Sequence, residues 1–197
     1  MTTAGHTSLP RKLIHLAMTV IPAIGWLVSW PLAVVLSALF LLASVLIEAL
    51  RRRQPTINRL LWRLLPTTFR PWEERRVLGS TWFALGMFLT LLLWGRDVGG
   101  TAVLFLIWGD PAAEIIGRRW GRSPGGGKTW AGSLGCFIAC LLMGPVGVGL
   151  GGLHPIAVLG GALTATLVER RSPPPNDNVW IPILSGAVMA LGRWLLS

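Results

Sequence analysis

Asp110 lies within an apolar run of membrane-spanning length and opens a tract, residues 109–121, in which polar groups and glycines recur in register. A carboxylate at bilayer depth costs about 2.5–3.5 kcal/mol on insertion scales, so it is seldom kept without a task. On a helix, Asp110, Glu114 and Arg118 fall every fourth residue and share one face. Gly109, Ala113, Gly117 and Gly121 form a second ladder one position off, small enough to let another backbone approach closely. Glu114 and Arg118 also read as an ordinary helix pair worth ~0.2–0.5 kcal/mol. That reading does not extend to Asp110, which lies deeper and precedes Pro111, where the helix lacks a backbone donor.

A glycine-rich stretch follows at residues 122–129, ending in Gly127, Lys128 and Thr129. It is not a P-loop, because that pattern requires glycine where Arg122 stands and a preceding strand. Glycine-rich backbone ahead of a helix start at residues 131–133, with Lys128 beside it, can still cradle phosphate. The plainer alternative is a flexible loop. A third cluster has Glu169 ending one apolar stretch, a proline-rich turn, and Asp177 with Asn178 beginning the next. The turn brings these oxygens to one depth, and oxygen-only ligands suit Mg²⁺, which keeps waters and shares substrate phosphates. Asp177 or Asn178 also reads as a helix N-cap.

Lesser candidates are Arg11, Lys12 and His15 at the first apolar stretch, and Glu48, which Arg51 or Arg52 can neutralise. Glu73, Glu74, Arg75 and Arg76 read as a solvated charge run. Cys136 and Cys140 share a helix face without a metal pattern or disulfide framework, and are expected to pack.

The elements that must position these groups follow from composition. The chain has 197 residues, 52% hydrophobic and 13% charged, against about 25% charged in soluble domains. Seven spans are expected, at residues 13–30, 31–50, 77–94, 98–116, 131–150, 154–168 and 179–196. The sixth is short, and Pro182 and Gly186 could tilt or break the seventh. The expected fold is one all-α polytopic membrane domain over residues 1–197. The net charge of +10 does not indicate a nucleic-acid partner. Under this threading every Lys and Arg except Arg96 and Arg193 falls on one side, which the positive-inside rule makes cytoplasmic, with the N-terminus. Residues 56–65, ended by Pro66, form an amphipathic cytoplasmic helix, either in the interface plane or packed on the spans.

The ordered set of Arg11-Lys12-Leu13-Ile14-His15, Gly109–Gly121, Lys128-Thr129-Trp130-Ala131-Gly132-Ser133, Glu169, Asp177-Asn178 and Pro182 resembles the CTP-dependent lipid alcohol kinases. These are the phytol and farnesol kinases, dolichol kinase and the yeast-type diacylglycerol kinase. Residues 128–133 look most like the phytol and farnesol branch. The resemblance implies CTP as donor and an isoprenoid alcohol or other lipid as acceptor. It also implies a multi-pass protein of a bacterial cytoplasmic membrane, with its active site facing the cytoplasm. Carried onto this chain, Asp110, Lys128, Glu169, Asp177 and Asn178 become the site. Asp110 and Asp177 would hold Mg²⁺, while Lys128, Arg118 and Arg119 would bind phosphate beside Gly127, Thr129 and Ser133. Glu169 or Glu114 would accept the alcohol proton. The rivals are a CDP-lipid synthase, whose C-terminal pair of aspartates is missing here, and a small transporter.

Overall fold

The computed structural model describes residues 9–65, 68, 71–74, 76–122 and 127–196. Pro66, Arg75 and residues 123–126 of the glycine-rich stretch lie outside the described residues. Among the described residues every regular element is helical: α1 (Leu9–Ala17), α2 (Val20–Leu27), α3 (Trp30–Arg53), α4 (Pro55–Leu64), α5 (Gly79–Trp94), α6 (Gly100–Trp120), α7 (Trp130–Gly149), α8 (Pro155–Arg171) and α9 (Asp177–Leu196). A short 3₁₀ turn, Pro71–Glu74, precedes α5.

Local chemistry sets the boundaries. Prolines open α3, α4 and α8, where a missing N–H costs nothing. Arginines fill the last turns of α3, α6 and α8, where they complement the helix dipole. Thr129 caps α7, its hydroxyl accepting the Gly132 amide at 3.0 Å.

Among the described residues, four helical stretches are long and apolar enough to cross a membrane: Trp30–Arg53, Gly79–Trp120, Trp130–Gly149 and Asp177–Leu196. Four is fewer than the seven expected spans for three reasons, of which only the first departs from the expected boundaries. The first expected span is split, because the chain turns between α1 and α2 at Met18 and Thr19. The third and fourth join through a π-turn at Gly95–Gly99, where Gly95 takes φ +69°, a region glycine enters freely. A Cβ on Gly99 would sit 2.8 Å from the Thr90 carbonyl, whereas a straight helix separates residues nine apart by about 13 Å. The stretch Gly79–Trp120 is therefore two arms folded on each other. The sixth, α8, has only 17 residues. Nor is the last helix broken, since α9 runs unbroken through Pro182.

The core lies along α5, α6 and α9, with Phe83, Met87, Leu91, Phe105, Ile107, Ile181 and Met189 fully buried. By contrast α3 is peripheral and turns Leu32, Val35, Leu39, Leu42 and Leu46 outward, as a lipid-facing helix must. The small-residue ladder of α6 is its contact face with α7. A Cβ on Gly109 would meet the Cys136 and Cys140 sulfurs at 3.0 and 3.1 Å, so both thiols serve as packing atoms. α4 buries no residue against the bundle and exposes Leu60 and Leu64. Of its two readings, this favours an interfacial helix.

At the end opposite the basic cluster, Arg96 and Arg193 both pair with Asp97. The two exceptions to the charge asymmetry thus share one carboxylate.

Candidate active site

Four helix ends meet around one open cleft: the C-termini of α6 and α8 and the N-termini of α7 and α9. Its volume is about 750 Å³. Asp110, Glu114, Lys128, Glu169 and Asp177 line it together, though the first and last are 67 positions apart (177 minus 110). The hairpin of α6 and α7 and that of α8 and α9 each end here, which is what brings them together.

Lys128 stands at the centre of the charge arrangement. Its Nζ lies 2.5 Å from Glu169 Oε1 and 3.1 Å from Asp177 Oδ2. Partial burial opposes the ammonium charge, but the carboxylates of Asp177, Asp110 and Glu169 outweigh it and hold the amine above the usual lysine range. Glu169 is only 2% exposed, so loss of Lys128 would leave a buried carboxylate without its strongest partner. Asp177 is steadied by the Ser172 hydroxyl, which donates at 2.7 Å. Ser172 takes the left-handed conformation, φ 42°, and turns the chain sharply between Glu169 and Asp177.

On the α6 wall, Glu114 pairs with Arg118 at 3.0 Å and with Lys12 at 3.6 Å. The Arg118 pair is the ordinary helix pairing; the Lys12 pair brings a nearly buried cation from α1 to the cleft wall. Gly117, Gly127 and Thr129 also line the cleft.

Other candidates stand elsewhere. The Arg119 guanidinium lies over the neighbouring Trp120 ring at 5.3 Å and is off the cleft wall. Ser133 is buried, donating to the Thr129 carbonyl and accepting from Arg170. Asn178 is 2% exposed and donates from Nδ2 to the Gly79 carbonyl at 3.2 Å, tying α9 to α5. Asn176 accepts the Asn178 amide at 3.0 Å, so the capping side chain is neither Asp177 nor Asn178. His15 packs against the Phe83 ring at 4.3 Å. Glu48 binds both Arg51 and Arg52, and also accepts the Leu78 amide at 3.2 Å.

The expected solvated charge run needs correction. Glu73 is 5% exposed, accepts the Gly79 amide at 2.9 Å and pairs with Arg11 at 3.5 Å. Its burial is possible because the turn folds it under α1, where an amide and a guanidinium replace water.

Arg76, Arg170, Arg171, Ser172 and Asn176 also line the cleft. In the sequence they look like topology, charge-run or turn residues. Their placement between Glu169 and Asp177, or beside the α5 start, was the available signal.

Among the described residues, no group of three or more His, Cys, Asp or Glu is arranged to hold a metal ion unaided. The side-chain metal donors that line the cleft are all oxygens, four carboxylates with the Thr129 and Ser172 hydroxyls and the Asn176 amide. That set fits a hard cation completed by phosphate oxygens and water, not one held wholly by protein.

Comparison with known proteins agrees with the motifs. The chain is 25% identical over 160 residues to the CTP-dependent diacylglycerol kinase 1 of Schizosaccharomyces pombe, covering 73% of each. It is 28% identical over 139 residues to that of Saccharomyces cerevisiae, covering 66% of this chain and 46% of that protein. An uncharacterized protein of Rickettsia prowazekii is 26% identical over 182 residues, 88% of each chain. No family profile matches the chain, and no solved structure matches it. The chain is thus homologous, at modest identity, to yeast CTP-dependent diacylglycerol kinases, which supports the lipid kinase family that the motifs resemble.

Proposed function

We propose that this protein is a CTP-dependent lipid kinase that moves the γ-phosphoryl group of CTP onto the hydroxyl of a membrane lipid alcohol. The observation that carries the reading is one cleft lined by Asp110, Lys128, Glu169 and Asp177 in a chain homologous to CTP-dependent diacylglycerol kinases. Phosphoryl transfer needs little covalent work from a protein; it needs positioning and charge neutralisation. The acceptor oxygen bonds to the γ-phosphorus as the bond to the β,γ-bridging oxygen breaks, CDP leaves, and the hydroxyl proton passes to a carboxylate. Glu169 or Glu114 is the acceptor for that proton. Lys128 exchanges part of its contact with Glu169 and Asp177 for phosphate oxygens. Asp110 and Asp177 would hold Mg²⁺, which supplies further neutralisation of the phosphates when bound. The cleft belongs to the cytoplasmic face, where CTP is dissolved, and the acceptor's chain stays in lipid.

Two acceptor classes remain in view, each with its own support. The names of the yeast relatives favour diacylglycerol; the resemblance of residues 128–133 to the phytol and farnesol branch favours an isoprenoid alcohol. Purified protein given γ-labelled CTP and a panel of diacylglycerol, phytol, farnesol, geranylgeraniol and undecaprenol tests both. Labelled phospholipid or prenyl phosphate supports the kinase and names its acceptor. No labelled lipid with any of them overturns it.

A further inference from the structure

The cleft wall carries five cations and four carboxylates: Arg76, Arg118, Lys128, Arg170 and Arg171 against Asp110, Glu114, Glu169 and Asp177. Three of the cations are committed within the protein. Lys128 is bound to Glu169 and Asp177, and Arg118 to Glu114. Arg170 stacks on the Trp130 ring at 3.7 Å and donates to Ser133. The guanidinium groups of Arg76 and Arg171 make no such ion pair or ring contact among the described residues, and both side chains are exposed to the cleft.

Arg76 is nevertheless not on loose backbone. The buried Arg51 guanidinium donates to the carbonyls of Glu73 at 3.3 Å, Glu74 at 3.2 Å and Arg76 itself, while Glu48 neutralises it. That grip fixes the approach of the segment to α5, and hence the root of the Arg76 side chain. Arg171 is rooted in the last turn of α8, two residues past the buried Glu169. Two cations on fixed backbone, arriving from different elements with their donors uncommitted, are what a polyanion needs on entry. Guanidinium forks match phosphate oxygens in pairs.

We infer that Arg76 and Arg171 are the principal phosphate-binding arginines of the cleft, gripping the polyphosphate of the incoming nucleotide. The paired Arg118 and the distant Arg119 leave that task to them. This rests on the proposed use of CTP and names which side chains recognise it. Lys128 then serves the transferred group, and the two arginines serve affinity.

The test is calorimetric binding of CTP, CDP and CMP to the full chain in lipid nanodiscs with magnesium present. Each of Arg76→Gln and Arg171→Gln should weaken CTP binding about tenfold to a hundredfold. CMP binding should change much less, because fewer phosphates are held. Arg76→Lys should recover part of the loss. Arg53→Gln, which removes an equal charge from the exposed end of α3, should bind CTP as the unaltered protein does. CTP affinity unchanged in both Arg76→Gln and Arg171→Gln, or equally reduced in Arg53→Gln, overturns the inference while leaving the kinase reading intact. Failure of the unaltered protein to bind CTP overturns both.

Discussion

Asp110 and Lys128 make opposite demands on the bilayer boundary: one is a carboxylate with no apolar excuse, the other an amine held charged by three carboxylates. Replacing either should remove chemistry without preventing insertion. Asp110→Asn and Lys128→Ala are each expected to lower phosphorylation by a factor of at least about 10², with normal amounts of protein in the membrane fraction. Near-native rates in both would remove these residues from the site. The raised pKa of Lys128 fixes a pH dependence. Because the folded value exceeds the unfolded one, its contribution to stability is complete below about pH 10.4, the ordinary lysine value. It is lost only as pH climbs through the higher folded value. The difference in thermal midpoint between the unaltered protein and Lys128→Met should therefore stay constant up to about pH 10. A difference that closes near neutral pH would contradict the pairing. That Asp110, Lys128 and Glu169 line one cleft was readable, because a carboxylate is costly at the depth of Asp110, and the glycine-rich stretch and the proline-rich turn bring Lys128 and Glu169 to the same end. Glu73 and Arg76 were not, because a charged residue in a polar segment looks the same whether it is solvated, buried or aimed into a cleft.

The helix pair α6 and α7 converts a spacing into a site. Small residues at four-residue intervals on α6 allow α7 to approach until a Cβ on Gly132 would lie 2.7 Å from the Ala113 carbonyl. Backbone cannot yield there as a flexible side chain can. Gly132→Val should cost about 1–3 kcal/mol by overpacking and should also depress activity, because Lys128 is anchored only four residues earlier. Unfolding monitored by tryptophan fluorescence, alongside the kinase assay, checks both effects. A variant with native stability would mean that the helices are not in close contact. This ladder was visible in the sequence as a period of four. The break between α5 and α6 falls where the sequence places it, between residues 94 and 98, but the split between α1 and α2 was not visible, since hydropathy reports how long an apolar stretch is and not where its axis changes direction.

For the whole molecule, the sorting of charge to one end is the physical basis for orientation. Reporter fusions after Gln54 and in the 172–176 turn should read cytoplasmic, and one at Gly151 should read external. A reversed pattern would put the cleft on the side without CTP. The all-α membrane class and the grouping of Asp110, Lys128, Glu169 and Asp177 were legible from motif order and helix length. Which arginines remain uncommitted was not, because that depends on pairings between α1, α6 and α8 that only packing decides. The function proposed for this cleft is transfer of the terminal phosphate of CTP to lipid. Its most direct measurement compares α-labelled with γ-labelled CTP in one reaction of purified protein with its lipid acceptor. Label on the lipid from γ-labelled CTP alone, with CDP as the other product, is the predicted result. Label from α-labelled CTP, with release of pyrophosphate, would contradict it.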